Sequence, residues 1–211
     1  AKVLRAAFGA AQTAADLGRL EVTMTHALLD FARDLSSGAL EPIRIDDGIK
    51  RKILRPDPAV ILAQAGSPDF ADWLKSLVPS NPAYSRLMAE KIALEALVAD
   101  GGYGPVLSAE EITPDASSAD ILALRDRLIA LGYLTRSFTK TYDASLQAAV
   151  QRFQANNGIL PDGVVGKSTL GALNVSAQDR LKSVIVAMER LRWMGNADLG
   201  SRHIWVNQPD F

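Results

Sequence analysis

Apolar positions in the first hundred residues recur at helical spacing and are punctuated by prolines. Residues 2–17 are rich in Ala and Leu, and residues 24–36 carry Leu28, Leu29, Ala32 and Leu35 on one helical face. Asp57-Pro58, Ser67-Pro68 and Asn81-Pro82 each place a side-chain acceptor before a proline. The first residue can cap free backbone N–H groups, and proline fits the first helical position, where its missing N–H costs nothing. These pairs predict three helix starts. The third helix runs through Leu87, Leu94 and Leu97 to a stop at Gly101-Gly102.

The pattern then changes. Pro105, Ser108, Thr113, Pro114, Ser117 and Ser118 lie among acidic residues, the composition of a linker. A compact unit follows. Ile121, Leu124, Leu128 and Leu131 form one stripe that ends at Gly132, and Leu146, Ala149, Val150 and Phe153 form a second, with Asp143 as its N-cap. A turn over Gly158-Ile159-Leu160-Pro161-Asp162-Gly163 leads to a short third helix holding Leu170 and Leu173. Three short helices over roughly 55 residues make a marginal core, so neighbouring elements are expected to stabilise them.

Residues 177–194 predict one more helix, with Leu181, Val184, Ile185, Met188 and Leu191 on one face. His203-Ile204-Trp205-Val206-Asn207 carries a strand signal. A lone strand leaves its ladder groups open. It pairs with earlier segments, or with a partner chain in self-association, or it begins a further domain; the last reading is preferred. The expectation is a mainly α chain divided into residues 1–104, a linker over 105–118, a three-helix unit over 119–175, and a linking helix with a short C-terminal β-strand over 176–211.

Composition narrows the chemistry. Apolar residues make up 48% of the 211 positions, enough to build a packed core. The net charge of −1 and the lack of a basic stripe give no electrostatic reason to expect nucleic acid. The chain has no cysteine, which removes disulfides, thiolate metal sites and a cysteine nucleophile from these residues. No apolar run approaches the roughly 20 residues of a bilayer span. The opening Ala1-Lys2-Val3 has no leader pattern and reads as a processed terminus.

Several local matches to catalytic motifs dissolve on inspection. Gly166-Lys167-Ser168 resembles the end of a phosphate-binding loop, but Pro161 stands where the loop needs glycine. Ser137-Phe138-Thr139-Lys140 fits Ser-x-x-Lys, yet neither Ser-Asp-Asn nor Lys-Thr-Gly accompanies it. His26 and His203, the only histidines, lie far apart in sequence, and no metal site or cofactor is expected. Glu110-Glu111 reads as a solvated pair, and Asn174-Val175-Ser176 as a sequon without meaning.

One resemblance spans most of the chain. Leu124, Leu128, Leu131-Gly132-Tyr133-Leu134, Tyr142-Asp143, Phe153-Gln154, Asn157-Gly158, Asp162-Gly163-Val164-Val165-Gly166 and Thr169-Leu170 occur in the order seen in the three-helix bacterial peptidoglycan-binding domain. The stretch Thr135–Thr141 departs from that pattern, where the family often has an Asp-Gly turn. Met188-Glu189-Arg190-Leu191-Arg192-Trp193-Met194, followed by residues 203–211, is similar to the junction that opens the catalytic domain of large L,D-transpeptidases. Leu28 to Gly38 and Leu77 to Tyr84 resemble their N-terminal scaffold domain.

The resemblance implies a peptidoglycan-binding and scaffold part of an exported, periplasmic or envelope enzyme that cross-links stem peptides by acyl transfer. The cysteine nucleophile and histidine base of that chemistry are expected downstream of the junction, so no catalytic residue is expected here. The alternatives are a complete non-catalytic wall-binding adaptor and the targeting part of a wall hydrolase. Candidate peptidoglycan contacts are Arg125, Tyr133, Gln154, Asn157 and Asp162. Amide and aromatic side chains suit a polar, neutral polymer through hydrogen bonding and ring contact. Asp162 and Phe153 also have plain structural readings, as a turn residue and a core residue.

Overall fold

The computed structural model describes residues 2–136 and 139–196, together with Arg202 and Ile204. Among the described residues the chain is helical: α1 (Lys2–Ala10), α2 (Ala14–Ser37), α3 (Pro42–Ile45), α4 (Pro58–Ala65), α5 (Phe70–Ser76), α6 (Pro82–Ala99), α7 (Ser118–Ala130), α8 (Ala144–Asn156), α9 (Lys167–Leu173) and α10 (Ala177–Met194). Two compact units emerge. Unit 1 holds Ala1–Ala89 and Ile185–Phe211, and unit 2 holds Glu90–Val184. These bounds differ from the expected 1–104, 105–118, 119–175 and 176–211. The chain comes back to unit 1 after leaving it, which a linear reading of composition does not reveal.

In unit 1 the break between α1 and α2 is set by a capping box. Thr13 Oγ1 accepts the Asp16 N–H at 3.1 Å, and Asp16 Oδ2 accepts the Thr13 N–H at 3.1 Å. One 24-residue helix therefore starts at Ala14, where the apolar pattern suggested two shorter segments. Two of the three proline starts form as expected. Asp57 Oδ1 accepts from Ala59 N at 2.8 Å, and Asn81 Oδ1 accepts from Ala83 N at 2.8 Å. Ser67-Pro68 instead forms a turn, and α5 begins only at Phe70.

The C-terminal part of α10 is pinned in unit 1 by polar contacts. Glu189, only 7% exposed, takes the Leu40 N–H at 2.8 Å and the Trp193 indole N–H at 3.1 Å on Oε1. Gly38 makes this approach possible. It sits at φ +83°, and a Cβ there would meet Glu189 Oε1 at 2.4 Å. Arg192 Nε donates to the Tyr84 hydroxyl at 3.0 Å, and Arg51 Nε donates to the Trp193 carbonyl at 2.9 Å.

Unit 2 is built on an apolar cluster. Ile121, Leu124, Leu128, Leu146, Ala149, Val150, Phe153, Leu170 and Leu173 from α7, α8 and α9 pack together, as their spacing predicts. Leu107 and Ile112 join them from the segment that reads as a linker. Ile112 also exchanges both backbone hydrogen bonds with Val165, at 3.0 and 3.2 Å, in an isolated antiparallel bridge. The polar composition of 105–118 hides these two apolar side chains, which add to the thin three-helix core. A second cluster joins Leu94, Ala177 and Leu181.

No strand occurs among the described residues. The strand signal over His203–Asn207 lies outside them except for Ile204, which is 92% exposed and in no regular element. Self-association through that strand therefore rests on residues outside the described ones. No helix among the described residues is long and apolar enough to cross a membrane.

Candidate functional site

The site is built in unit 2 where α8 ends and the turn of residues 158–165 begins. Asp143 starts α8, accepting the Leu146 N–H at 2.9 Å. The helix then carries Phe153 and Gln154 inward and leaves Asn156 and Asn157 outside.

Gln154 is 1% exposed, and its amide organises the turn. Nε2 donates to Asp162 Oδ1 at 2.9 Å, to the Val164 carbonyl at 2.9 Å and to Thr169 Oγ1 at 3.2 Å. Its Oε1 accepts the buried Gly163 N–H at 2.9 Å. The amide thus has its acceptor and both donors engaged within the protein. Gly163 is required on two counts: φ is +81°, and a Cβ would approach Gln147 Cγ at 3.0 Å.

Asp162 is exposed but its Oδ1 is turned back, taking the Val164 N–H at 2.8 Å as well as the Gln154 amide. Those bonds, the Val164 N–H first and Gln154 second, hold its carboxyl below the usual carboxylate range. Tyr142 closes the turn from outside by donating its hydroxyl to the Gly163 carbonyl. Burial, with the Asp162 charge as a lesser cause, pushes the Tyr142 phenol up to about 12, so it stays a donor at any ordinary pH.

Tyr133 and Asn157 frame the other side. The half-buried Tyr133 ring forms an edge-to-face pair with Phe153, with centroids 5.2 Å apart and planes at 77°. Its hydroxyl accepts from Asn156 Nδ2 at 3.2 Å, and its carbonyl accepts from Arg152 at 2.7 Å. Asn157 is exposed and donates Nδ2 to the Phe153 carbonyl at 2.8 Å, closing the end of α8. Its side-chain oxygen has no protein donor among the described residues.

Arg125 lies elsewhere. It is 1% exposed, and its Nη2 binds Asp143 Oδ2 at 2.6 Å and the Thr141 carbonyl at 2.9 Å. Asp143 is held at about 2, first by the Ser145 hydroxyl and the Leu146 N–H, with Arg125 adding to them. The structure therefore places the five sequence candidates in two groups. Tyr133, Asn157 and Asp162 reach the surface around the end of α8, while Arg125 and Gln154 are enclosed and bond to backbone and side chains within the protein.

Sequence reasoning did not single out Asn156, Arg152 or Tyr142 as site residues. Asn156 and Arg152 follow from helical spacing once Phe153 faces the core, because their side chains must then flank it. Tyr142 stands in the family pattern without a role attached to it, since its partner is a carbonyl 21 residues away. Of the other local matches, Glu110, Glu111, Lys167 and Ser168 are exposed and His26 lies exposed on α2. Ser137, Phe138 and His203 lie outside the described residues. No group of three or more His, Cys, Asp or Glu side chains that could hold a metal occurs among the described residues.

The arrangement offers hydrogen-bonding amides, a phenol edge and the exposed Leu160 around a rigid turn. Among the described residues these groups are donors and acceptors suited to holding a polar polymer. Two family models match the chain: one described as "Putative peptidoglycan binding domain" over residues 117–173, and one described as "Scaffold domain" over residues 1–90. No curated protein matches it. A peptidoglycan-binding domain supports a role in binding the cell wall, outside the cytoplasm.

Proposed function

We propose that this chain is the wall-binding and scaffold part of an exported L,D-transpeptidase, and that the surface formed by Tyr133, Asn156, Asn157, Leu160 and Asp162 contacts peptidoglycan in the periplasm or cell envelope. The observation that carries the reading is the division of labour at the end of α8. Gln154 and Gly163 fix the turn internally, which leaves the Asn157 side-chain oxygen and the exposed part of Tyr133 to meet a polymer without rearrangement. A rigid display of this kind limits the ordering cost of binding.

The chemistry fits the ligand. Glycan strands present hydroxyls and acetamides, which pair with side-chain amides, and apolar sugar faces, which pack on Tyr133 and Leu160. Weak affinity per site is sufficient. A tethered catalytic domain gains effective concentration on the polymer it modifies. Arg125 and Gln154 contribute by holding Asp143 and the turn in place. The transpeptidase reading rests on the similarity of Met188–Met194 and of the scaffold segments to that family, together with the two family-model matches.

Co-sedimentation with purified, protein-free sacculi tests the wall-binding role. The chain is expected in the pellet with sacculi and in the supernatant with cellulose. Equal partition in both would contradict it. Incubation of the chain with muropeptides is expected to yield no cross-linked product.

A further inference from the structure

A second feature of unit 2 lies away from the surface just described. Tyr103, Gly104, Val106, Arg127 and Ala177 line a cavity of about 250 Å³. That is below the roughly 300 Å³ at which sites for drug-sized ligands begin, so it suits one functional group and its stem rather than a disaccharide.

Its lining carries a cation and no carboxylate, although the Asp179 carboxylate accepts from the lining Ser176 hydroxyl at 2.7 Å. Arg127 is 3% exposed and has no carboxylate partner among the described residues. Its hydrogen bonds go to the carbonyls of Leu173 at 3.1 Å, Gly104 at 3.2 Å and Pro105, and its Nε has none. Neutral carbonyls solvate a buried guanidinium without cancelling its charge. Arg180 adds a second cation: both guanidiniums lie 5.9 Å from the Tyr103 ring centroid. No Asp or Glu lines the cavity, although the Glu90 charge is felt at Tyr103. The first turn of α10 also opens here. Ser176 caps Asp179 N at 3.0 Å, leaving the Ala177 and Gln178 N–H groups without an intrahelical acceptor.

We propose that this cavity is a carboxylate subsite, which takes one free carboxylate of a peptidoglycan stem peptide against Arg127 and the first turn of α10. The proposal rests on the wall-binding reading and names which part of the polymer the second contact would be. Glycan hydroxyls and acetamides carry no charge to match a buried cation, whereas stem peptides carry free carboxylates.

The test uses the full ¹⁵N-labelled chain, a soluble stem tetrapeptide with free carboxylates, and the same peptide as its methyl ester. Saturable shifts of the Tyr103, Gly104, Ala177 and Gln178 amides are expected with the acid and not with the ester. Val106 is 68% exposed, so Val106→Asp adds a like charge at the cavity without disturbing the core. It should weaken the acid about fivefold, whereas Val106→Asn should bind as the parent chain does. No shift with the acid, equal shifts with the ester, or an unchanged Val106→Asp would overturn the subsite. Sedimentation of the parent chain with sacculi, measured alongside, separates the two claims. A chain that pellets with sacculi but shows no acid-dependent shift refutes the subsite alone, and one that fails to pellet refutes the wall-binding reading beneath it.

Discussion

The two units are held together by different means. Of the apolar side chains buried among the described residues, fifteen lie in unit 2 and six in unit 1. The exposed large apolar residues run the other way, with four in unit 2 and fourteen in unit 1. Unit 2 rests on apolar packing, with one large cluster built on α7, α8 and α9 and a smaller one around Leu94, Ala177 and Leu181. Unit 1 depends on specific polar pins such as Glu189 on Leu40 and Trp193, and Arg192 on Tyr84. Burying an aliphatic or aromatic side chain stabilises by about 1.5–3 kcal/mol wherever it packs, whereas a polar pin works only in one geometry. Unit 2 should therefore tolerate surface change and suffer from core truncation. Unit 1 should be sensitive to single contacts that periodicity does not reveal.

The sharpest test of that contrast is a cavity in unit 2. Leu124 is fully buried, and Leu124→Ala should cost about 2–5 kcal/mol. Amide exchange in α7 and α8 should accelerate accordingly, while exchange in the middle of α2 changes less. An equal loss in α2 would mean that the division into two kinds of packing is wrong.

Gln154→Ala comes next. It strips the Gly163 N–H, the Val164 carbonyl and Asp162 of a shared partner, and should cost about 2–4 kcal/mol. The Gly163 amide should lose its exchange protection. An unchanged amide there would show that the turn holds itself.

In unit 1, Gly38→Ala should cost about 1–3 kcal/mol, because the new Cβ displaces Glu189 and the backbone stays at positive φ. Tryptophan emission reports it directly, since Trp193 is bonded to Glu189. An unshifted spectrum and an unchanged melting midpoint would remove Glu189 from the account.

The smallest effect is one of pH. The folded-state value of Asp143 is lowered from 3.8 to about 2. A depressed carboxyl adds stability above its unfolded value and loses it as pH falls toward the folded one. Unit 2 should hold its stability down to about pH 4 and weaken between there and pH 2, and Asp143→Asn should flatten that segment of the curve. A wild-type curve already flat over this range would contradict the Asp143 assignment.

The apolar stripes of α7, α8 and α9 and the Asp143 cap were legible because each depends on residues a few positions apart. The same holds for the starts at Asp57 and Asn81. What stayed hidden depends on distance along the chain. Leu107 and Ile112 sit in polar sequence and become core only because Val165 and Asn174 come back to meet them. Glu189 looks like an ordinary charged helix residue until Gly38 is placed against it. The Thr13 capping box was local and readable, yet the Ala-rich run around it concealed the break. Within the site, Tyr133, Asn157 and Asp162 could be named from residue type. The enclosure of Arg125 and Gln154 could not, because long polar side chains mark a surface and a buried hydrogen-bond hub equally well.

The central claim is that unit 2 meets the wall through the surface at the end of α8. Titrating the ¹⁵N-labelled chain with soluble glycan fragments of murein tests it most directly. The amides of Tyr133, Asn156, Asn157 and Asp162 should shift together and saturate, with Tyr133→Ala and Asn157→Ala each weakening the effect and leaving the fold intact. Shifts confined to unit 1, or none at saturating fragment, would contradict the account.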